Sequence, residues 1–152
     1  NRSPLADPEA RGLIAGLGMD RSVDSLVGLY VAGLCGLGYG LRQILGSMHE
    51  AGSLIDTILI SGGAGQSALV RQLLADATGV TVAASRSAEP VLLGAAMLGA
   101  VAAGGYSNLK SAMPAMSAVG DIYRPAAGEM RDWHDRRYAA FLALQAAGRA
   151  IR

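Results

Sequence analysis

The chain has 152 residues, enough for one domain with a substantial core or for one lobe of a larger enzyme. Its 13 basic and 12 acidic residues give a net charge of +1, so it lacks the basic field that attracts nucleic acid or an acidic membrane surface. A single cysteine, Cys35, excludes an internal disulfide and is typical of a protein from the reducing cytoplasm. Because the chain begins with Asn1 rather than Met, we expect it to be a fragment of a longer protein.

Hydrophobic residues make up 51% of the chain and charged residues 16%, so membrane-spanning helices have to be considered. Two stretches carry no charge: the 17 residues between Asp24 and Arg42, and the 20 residues between Glu89 and Lys110. A spanning helix needs about 20 mostly apolar residues, but both stretches are diluted by Gly, Ala and Ser and lack flanking aromatic belts. We interpret both as buried helices of an α/β protein, with no membrane partner.

In chain order, the first element is a loop at Asn1–Pro8, predicted from two prolines, and the next is a short strand at Arg11–Leu17. The clearest helix is Asp20–Glu50, in which Ser22 is placed as the N-cap and apolar residues recur at helical spacing. Each glycine inside this helix costs about 1 kcal/mol relative to alanine, which indicates close approach by a neighbouring backbone. We therefore expect this helix to be a central packing element.

The apolar, β-branched run from Ile55 to Ile60 predicts a short buried strand, and Val80–Ala83 predicts a second one. Two strand–helix units in succession favour parallel pairing in a doubly wound layer. The remaining expected elements are helices at Gln66–Thr78 (ended by Gly79), Ser87–Ala103 and Gly128–Arg152, a short helix packed as a flap within Asn108–Ala118, and an extended link at Asp121–Pro125.

The segment Asp56–Ser67 joins a strand, a glycine turn and the start of a helix. Such a junction presents free backbone N–H groups and the positive end of a helix dipole to an anion, and Gly62 and Gly63 would let a phosphate approach the main chain closely. The spacing of the glycines fits neither a P-loop nor G-x-G-x-x-G, and the only lysine is the distant Lys110. Backbone amides, together with a metal, would have to balance the negative charge of a bound phosphate. Taken alone, the segment is explained at least as well by a purely steric turn.

Other chemical signatures are weak. His49 and His134 have no second ligand at metal-binding spacing, and we interpret both as helix-surface or helix-end residues. No G-x-S-x-G motif occurs, and Cys35 lies within a predicted helix as a small core residue. Asp132 and Asp135 lie beside arginines on the last helix and are expected to form a solvated face. We therefore assign no catalytic residue and no metal ligand.

Several motifs follow one another in order: Ser61-Gly-Gly-Ala-Gly-Gln-Ser67, Val70-Arg-Gln-Leu-Leu-Ala-Asp76, Gly79-Val80, and Glu89 with Leu93-Gly-Ala-Ala96. Upstream of them stand Asn1-Arg-Ser-Pro4, Asp7-Pro8 and Arg11-Gly12. In this combination the chain resembles the C-terminal domain of the FGGY carbohydrate kinases over nearly its whole length. It is most similar to the pentulose kinase, ribulokinase-like branch of that family.

The resemblance implies a helix-rich ribonuclease-H-like, actin-type ATPase domain, with residues 1–152 forming the C-terminal nucleotide-binding lobe. It also implies that the backbone of Gly62 and Gly63 lies against the phosphates of ATP or ADP, and that Gln66 and Ser67 lie near the adenine. Glycerol kinases have an amide residue where this chain has Ser67. The Glu89–Ala96 match is expected to fix a helix against the nucleotide sheet.

The reaction implied is transfer of the γ-phosphoryl group of ATP, with Mg²⁺, to a hydroxyl of a pentulose such as ribulose. In this family the catalytic Asp lies upstream of Asn1, near the join to the first lobe, and most of the sugar pocket lies in that lobe, so we predict that this chain alone is inactive. A non-catalytic nucleotide-binding or scaffold domain of the same fold is the alternative. The long helices leave room for a homodimer face, although no apolar stripe is left over once the core is filled.

Overall fold

The computed structural model describes residue 4 and residues 6–151, which form five α-helices and three β-strands. They are α1 (Val23–Glu50), β1 (Thr57–Ile60), α2 (Ala68–Thr78), β2 (Thr81–Ser85), α3 (Pro90–Ala102), α4 (Leu109–Met116), β3 (Val119–Tyr123) and α5 (Glu129–Ala150), with a 3₁₀ turn at Ala64–Gln66. Half of the expected loop Asn1–Pro8 (residues 1–3 and 5) and the terminal Arg152 lie outside the described residues.

The strands form one sheet in the order β1-β2-β3. β1 and β2 are parallel, with Thr57 opposite Thr81 and Ile60 opposite Ala84, as the two strand–helix units predict. α2 connects them, since a parallel pair needs a crossover. β3 then pairs antiparallel to β2, so the sheet is mixed. The expected extended link at Asp121–Pro125 is thus wrong in part, because residues 121–123 belong to a strand.

Local signals at the helix ends match the structure. The Ser22 side chain accepts a hydrogen bond from the N–H of Ser25 and caps α1, while Pro90 occupies the first turn of α3. Gly79 ends α2 in the left-handed region, at φ 77°, and its N–H bonds to the carbonyl of Ala75. The short helix expected within Asn108–Ala118 is α4, which begins with a capping box.

The core lies where α1, α2 and α5 meet. Cys35, Tyr39 and Ala77 are buried there, and partly buried side chains pack around them: Val31, Leu73, Tyr138 and Phe141. The interpretation of Cys35 as a small core residue is therefore confirmed, and α1 is a packing element as expected. A Cβ built on Gly38 would lie 2.6 Å from the Cβ of Ala77, so α1 and α2 approach closely at this glycine.

Three further expectations are wrong. Residues 11–17 form no strand; the apolar side chains of this stretch are exposed, and Gly16 has φ 77°, which breaks an extended run. β1 alternates between exposed and half-buried residues and is not buried on both faces. His134 was expected at the surface of the last helix, yet it is 1% exposed because it faces α1.

By length and composition, α1 is long and apolar enough to cross a membrane. Only 17% of its most apolar 18-residue stretch is buried. A single helix of this kind is weak evidence for a span, because core helices of soluble proteins satisfy the same criterion. The second half of α1 supplies Cys35, Gly38 and Tyr39 to the core, but its first half is largely exposed, and α3 buries only Met97. The interpretation of the two uncharged stretches as buried helices is therefore wrong for most of their length.

Candidate functional site

The glycine loop lies at the carboxyl end of β1, between Ile60 and the start of α2. Gly62 has φ 91°, a conformation that glycine adopts at little cost. The N–H of Gln66 donates to the carbonyl of Gly63 at 3.1 Å and closes the 3₁₀ turn. Within the described residues, the N–H groups of Gly62 and Gly63 donate to no protein acceptor. Two backbone donors are therefore free to bind an anion.

This loop forms one wall of a cleft of about 220 Å³ at the carboxyl ends of the two parallel strands. The opposite wall is formed by the end of β2, the segment that follows it and the start of α3, at residues 84–88 and Pro90. Ligands of open α/β sheets bind in the crevice outside the carboxyl ends of the strands. Sequence reasoning assigned a ligand role only to the first wall, although the predicted parallel pairing of the two strands places the turns after β1 and β2 at the same edge of the sheet.

The four predicted site residues occupy different places around this cleft. Gly62 and Gln66 line it. Gly63 is open to solvent, since a Cβ built on it would meet no atom within 4 Å. Ser67 is the N-cap of α2, and its hydroxyl accepts the N–H of Val70 at 3.4 Å. The Ser67 side chain is therefore already engaged in capping the helix that starts at the loop.

Arg71 is a site residue that sequence reasoning missed. It lines the cleft from the first turn of α2, its side chain is 15% exposed, and its Nε donates to the carbonyl oxygen of Gly65. Its guanidinium also reaches β3, with Nη1 3.3 Å from the hydroxyl of Tyr123 and 3.4 Å from Oδ2 of Asp121. A cation in the first turn opposes the helix dipole, and this unfavourable placement is a signal that could have identified it.

The segment after β2 is ordered by its own serines. The N–H of Ser87 donates to the Ser85 hydroxyl at 3.1 Å, and the N–H of Glu89 donates to the Ser87 hydroxyl at 3.3 Å. Arg86 lies between these turns, and its N–H donates to the carbonyl of Ala118 at 3.0 Å.

The charge of the cleft is positive. Of the described residues that line it, Arg71 and Arg86 are charged and none is acidic. Arg71 is partly balanced by Asp121, whereas Arg86 forms no ion pair within the described part of the chain. Free amides and two guanidinium groups at one cleft favour an anionic ligand.

The structure supports a metal site at this cleft less well than an anion site. Among the described residues, no group of three or more His, Cys, Asp or Glu side chains is arranged to hold one. A divalent cation at this cleft would therefore need ligands from its phosphate partner or from another part of the protein.

A second, larger cavity of about 650 Å³ lies at the junction of α1, α2 and α5. Its walls include Cys35, Asp76 and His134, but this group does not form a nucleophilic site. Burial raises the pKa of the Cys35 thiol, which opposes formation of a thiolate. Oδ1 of Asp76 already accepts the N–H of Ala126 at 2.7 Å and holds the link into α5.

Comparison with known proteins extends this picture. The model of the FGGY family of carbohydrate kinases, C-terminal domain, matches residues 1–103. An FGGY carbohydrate kinase domain-containing protein of Xenopus laevis is 42% identical over 144 residues, covering 95% of this chain and 26% of the relative. A D-ribulokinase of Saccharomyces cerevisiae is 39% identical over 103 residues, covering 67% of this chain and 14% of the relative. The chain thus spans about a quarter or less of these relatives.

Solved structures agree on the fold. A ligand-bound xylulose kinase from Lactobacillus acidophilus superposes with a TM-score of 0.79 at 20% identity, covering 96% of this chain and 29% of that one. A glycerol kinase from Plasmodium falciparum, solved with ADP, gives 0.68 at 17% identity, covering 89% and 26%. The predicted actin-type lobe and the predicted likeness to ribulokinases are confirmed. The chain belongs to the FGGY family of carbohydrate kinases, and it has the fold of their C-terminal domain.

Proposed function

We propose that this chain is the ATP-binding C-terminal lobe of a carbohydrate kinase that transfers the γ-phosphoryl group of ATP to a hydroxyl of a pentulose such as ribulose. The observation that carries the proposal is the glycine loop, which has free N–H groups at Gly62 and Gly63 and forms one wall of a cleft lined by arginines. The names of two relatives, D-ribulokinase and ribulokinase, support the choice of a pentulose. The ADP in a glycerol kinase of the same fold supports the choice of nucleotide.

In this proposal the backbone of Gly62 and Gly63 binds the nucleotide phosphates, while Gln66 and Ser67 lie near the adenine. The geometry fits a nucleotide, because the donors are backbone groups that need no side chain to reach the phosphates. Bound Mg²⁺ would neutralise charge on the phosphates. The described residues do not supply a ligand set for it, so we place its protein ligands outside them.

The proposal places the sugar site and the catalytic Asp in a part of the parent enzyme outside this chain, and it places that enzyme in the cytoplasm. Phosphoryl transfer depends on positioning both substrates and on stabilising charge between them. One lobe cannot provide both. Sedimentation of the parent enzyme would decide whether it is a homodimer.

The experiment that tests the nucleotide site is a titration of the chain with ADP and Mg²⁺, followed by two-dimensional NMR. We expect shifts confined to residues 61–67, the segment after β2 and the start of α2. The matching variant is Gly63→Val. Gly63 has no positive φ and has open space at its Cβ position, so valine should leave the fold intact while obstructing the approach of a phosphate.

The control is Gly12→Val, in a coil segment where an added Cβ also meets nothing within 4 Å. We expect Gly63→Val to weaken ADP binding at least tenfold and Gly12→Val to leave it unchanged, with similar unfolding midpoints for both. Equal binding by Gly63→Val and the unchanged chain would show that the phosphates do not lie against Gly63.

A further inference from the structure

We infer that Arg71 is a positioning residue for the glycine loop: its guanidinium fastens the loop to β3 and so holds the N–H groups of Gly62 and Gly63 in place for an anion. This inference rests on the proposed function of the loop. Arg71 acts on the ligand through the backbone of its neighbours, not as a catalytic group.

The contacts of Arg71 join three elements. Nε donates to the carbonyl oxygen of Gly65 in the 3₁₀ turn, and Nη1 lies 3.3 Å from the hydroxyl of Tyr123 on β3. The guanidinium carbon also lies 5.6 Å from the centre of the Tyr123 ring, and Asp121 balances the charge. One side chain that starts on α2 thus ties the loop to the far edge of the sheet.

The loop has little else to order it. Three of the residues at 62–65 are glycines, which have no side chains to pack and lose the most backbone entropy when they are fixed. The hydrogen bond from Gln66 to Gly63 closes the turn internally but does not anchor it to the sheet. Gly65 is buried against Ile60, so the bond from Arg71 reaches the covered side of the loop. The donors at Gly62 and Gly63 stay available for a ligand.

Gln72 provides a matched control, because it also links α2 to the segment after β3. Its Nε2 donates to the carbonyl of Arg124 at 2.9 Å and to Oδ1 of Asp76 at 2.9 Å, and no hydrogen bond joins its side chain to the described residues of the loop. Removing either side chain should lower stability. Only the removal of Arg71 should make the glycine loop more mobile and weaken ADP binding.

The experiment compares Arg71→Gln, Arg71→Lys and Gln72→Ala with the unchanged chain in three measurements: ¹⁵N relaxation of residues 62–66 without nucleotide, ADP affinity with Mg²⁺, and urea unfolding. In Arg71→Gln we expect the order parameters to fall from about 0.85 towards 0.6 and the dissociation constant for ADP to rise about tenfold. In Gln72→Ala we expect lower stability with neither change.

Arg71→Lys separates positioning from direct charge, because an ammonium cannot reproduce the forked contacts to Gly65 and Tyr123. We expect its loop to be as mobile, and its ADP binding as weak, as in Arg71→Gln. Full ADP affinity in this variant, or unchanged order parameters in Arg71→Gln, would overturn the inference. If the unchanged chain binds no ADP while Arg71→Gln still loosens the loop, the nucleotide assignment fails and the anchoring role of Arg71 stands.

Discussion

His134 is the buried titratable residue whose environment has the clearest consequence for stability. Its Nδ1 lies 3.0 Å from the hydroxyl of Tyr39, and its ring meets the Trp133 ring edge-on at 4.8 Å. Burial lowers the pKa of His134, and the nearby carboxylate of Asp76 opposes that effect only in part. Burial also raises the pKa of Tyr39 to about 12, so the phenol stays protonated throughout the neutral range.

We predict that the chain loses stability as the pH falls below about 6.5, the ordinary pKa of histidine. Because the pKa of His134 is lowered in the folded protein, the unfolded chain binds the proton more readily. The contribution is fully present above the unfolded pKa and is lost as the pH falls through the folded pKa. Urea unfolding at pH 7.5 and pH 5 should show it.

His134→Gln should flatten this pH dependence, whereas His49→Gln, at the exposed end of α1, should leave it unchanged. Asp135 does not interfere in this window, because its hydrogen bond with Arg42 lowers the pKa of its carboxyl and moves its titration to more acidic pH. Identical pH slopes in the unchanged chain and His134→Gln would show that another group is responsible.

At the scale of elements, the glycines of α1 show what helical spacing can and cannot reveal. The sequence indicated close packing at the glycines of this helix. Close packing is confirmed at Gly38, whose neighbour is Ala77. At the other five, no atom outside the helix lies within 4 Å of an added Cβ among the described residues: Gly28, Gly33, Gly36, Gly40 and Gly46. Spacing identifies a face of a helix but not which part of that face a partner covers.

Gly38→Ala should therefore destabilise the chain, while Gly33→Ala should stabilise it. The added methyl at Gly38 overlaps Ala77 and forces α1 and α2 apart, at a cost of about 1–3 kcal/mol. At Gly33 the same change meets open space and gains about 0.5–1 kcal/mol of helix propensity. Urea unfolding of the two variants would check this. Two changes of the same sign would mean that α1 and α2 pack differently in solution.

The sequence was informative wherever structure depends on neighbours along the chain. Ser22, Pro90 and Gly79 mark helix ends through local hydrogen bonds and backbone preference, and these were predicted correctly. β3 was missed because a strand depends on its partner, and its pairing with β2 could not be read from residues 119–123 alone. Arg71 was missed for the same reason, since its contacts lie 6 and about 50 residues away.

At the scale of the whole molecule, the described chain exposes a large apolar surface, formed by the coil before α1 and by the first half of α1, so the expectation that no apolar stripe is left over is wrong. Its larger side chains are Leu13, Ile14, Leu17, Met19, Val23, Leu26, Val27 and Tyr30. Soluble monomers rarely leave a continuous apolar patch of this extent uncovered. The chain spans about a quarter of the length of its FGGY relatives, and we expect the rest of the parent protein to cover this surface.

Because the proposed sugar site and catalytic Asp lie outside this chain, we predict that the chain alone does not phosphorylate sugars. Its cleft offers backbone donors and two arginines but, within the described residues, no carboxylate that could accept the proton of a sugar hydroxyl. A coupled assay of ADP release with ATP, Mg²⁺ and D-ribulose should give the blank rate for this chain and a higher rate for the complete parent protein. The Gly63→Val parent should lose that rate. ADP release by the chain alone would show that it contains its own base, whereas a parent that binds ADP but phosphorylates no pentulose would favour a non-catalytic nucleotide-binding domain.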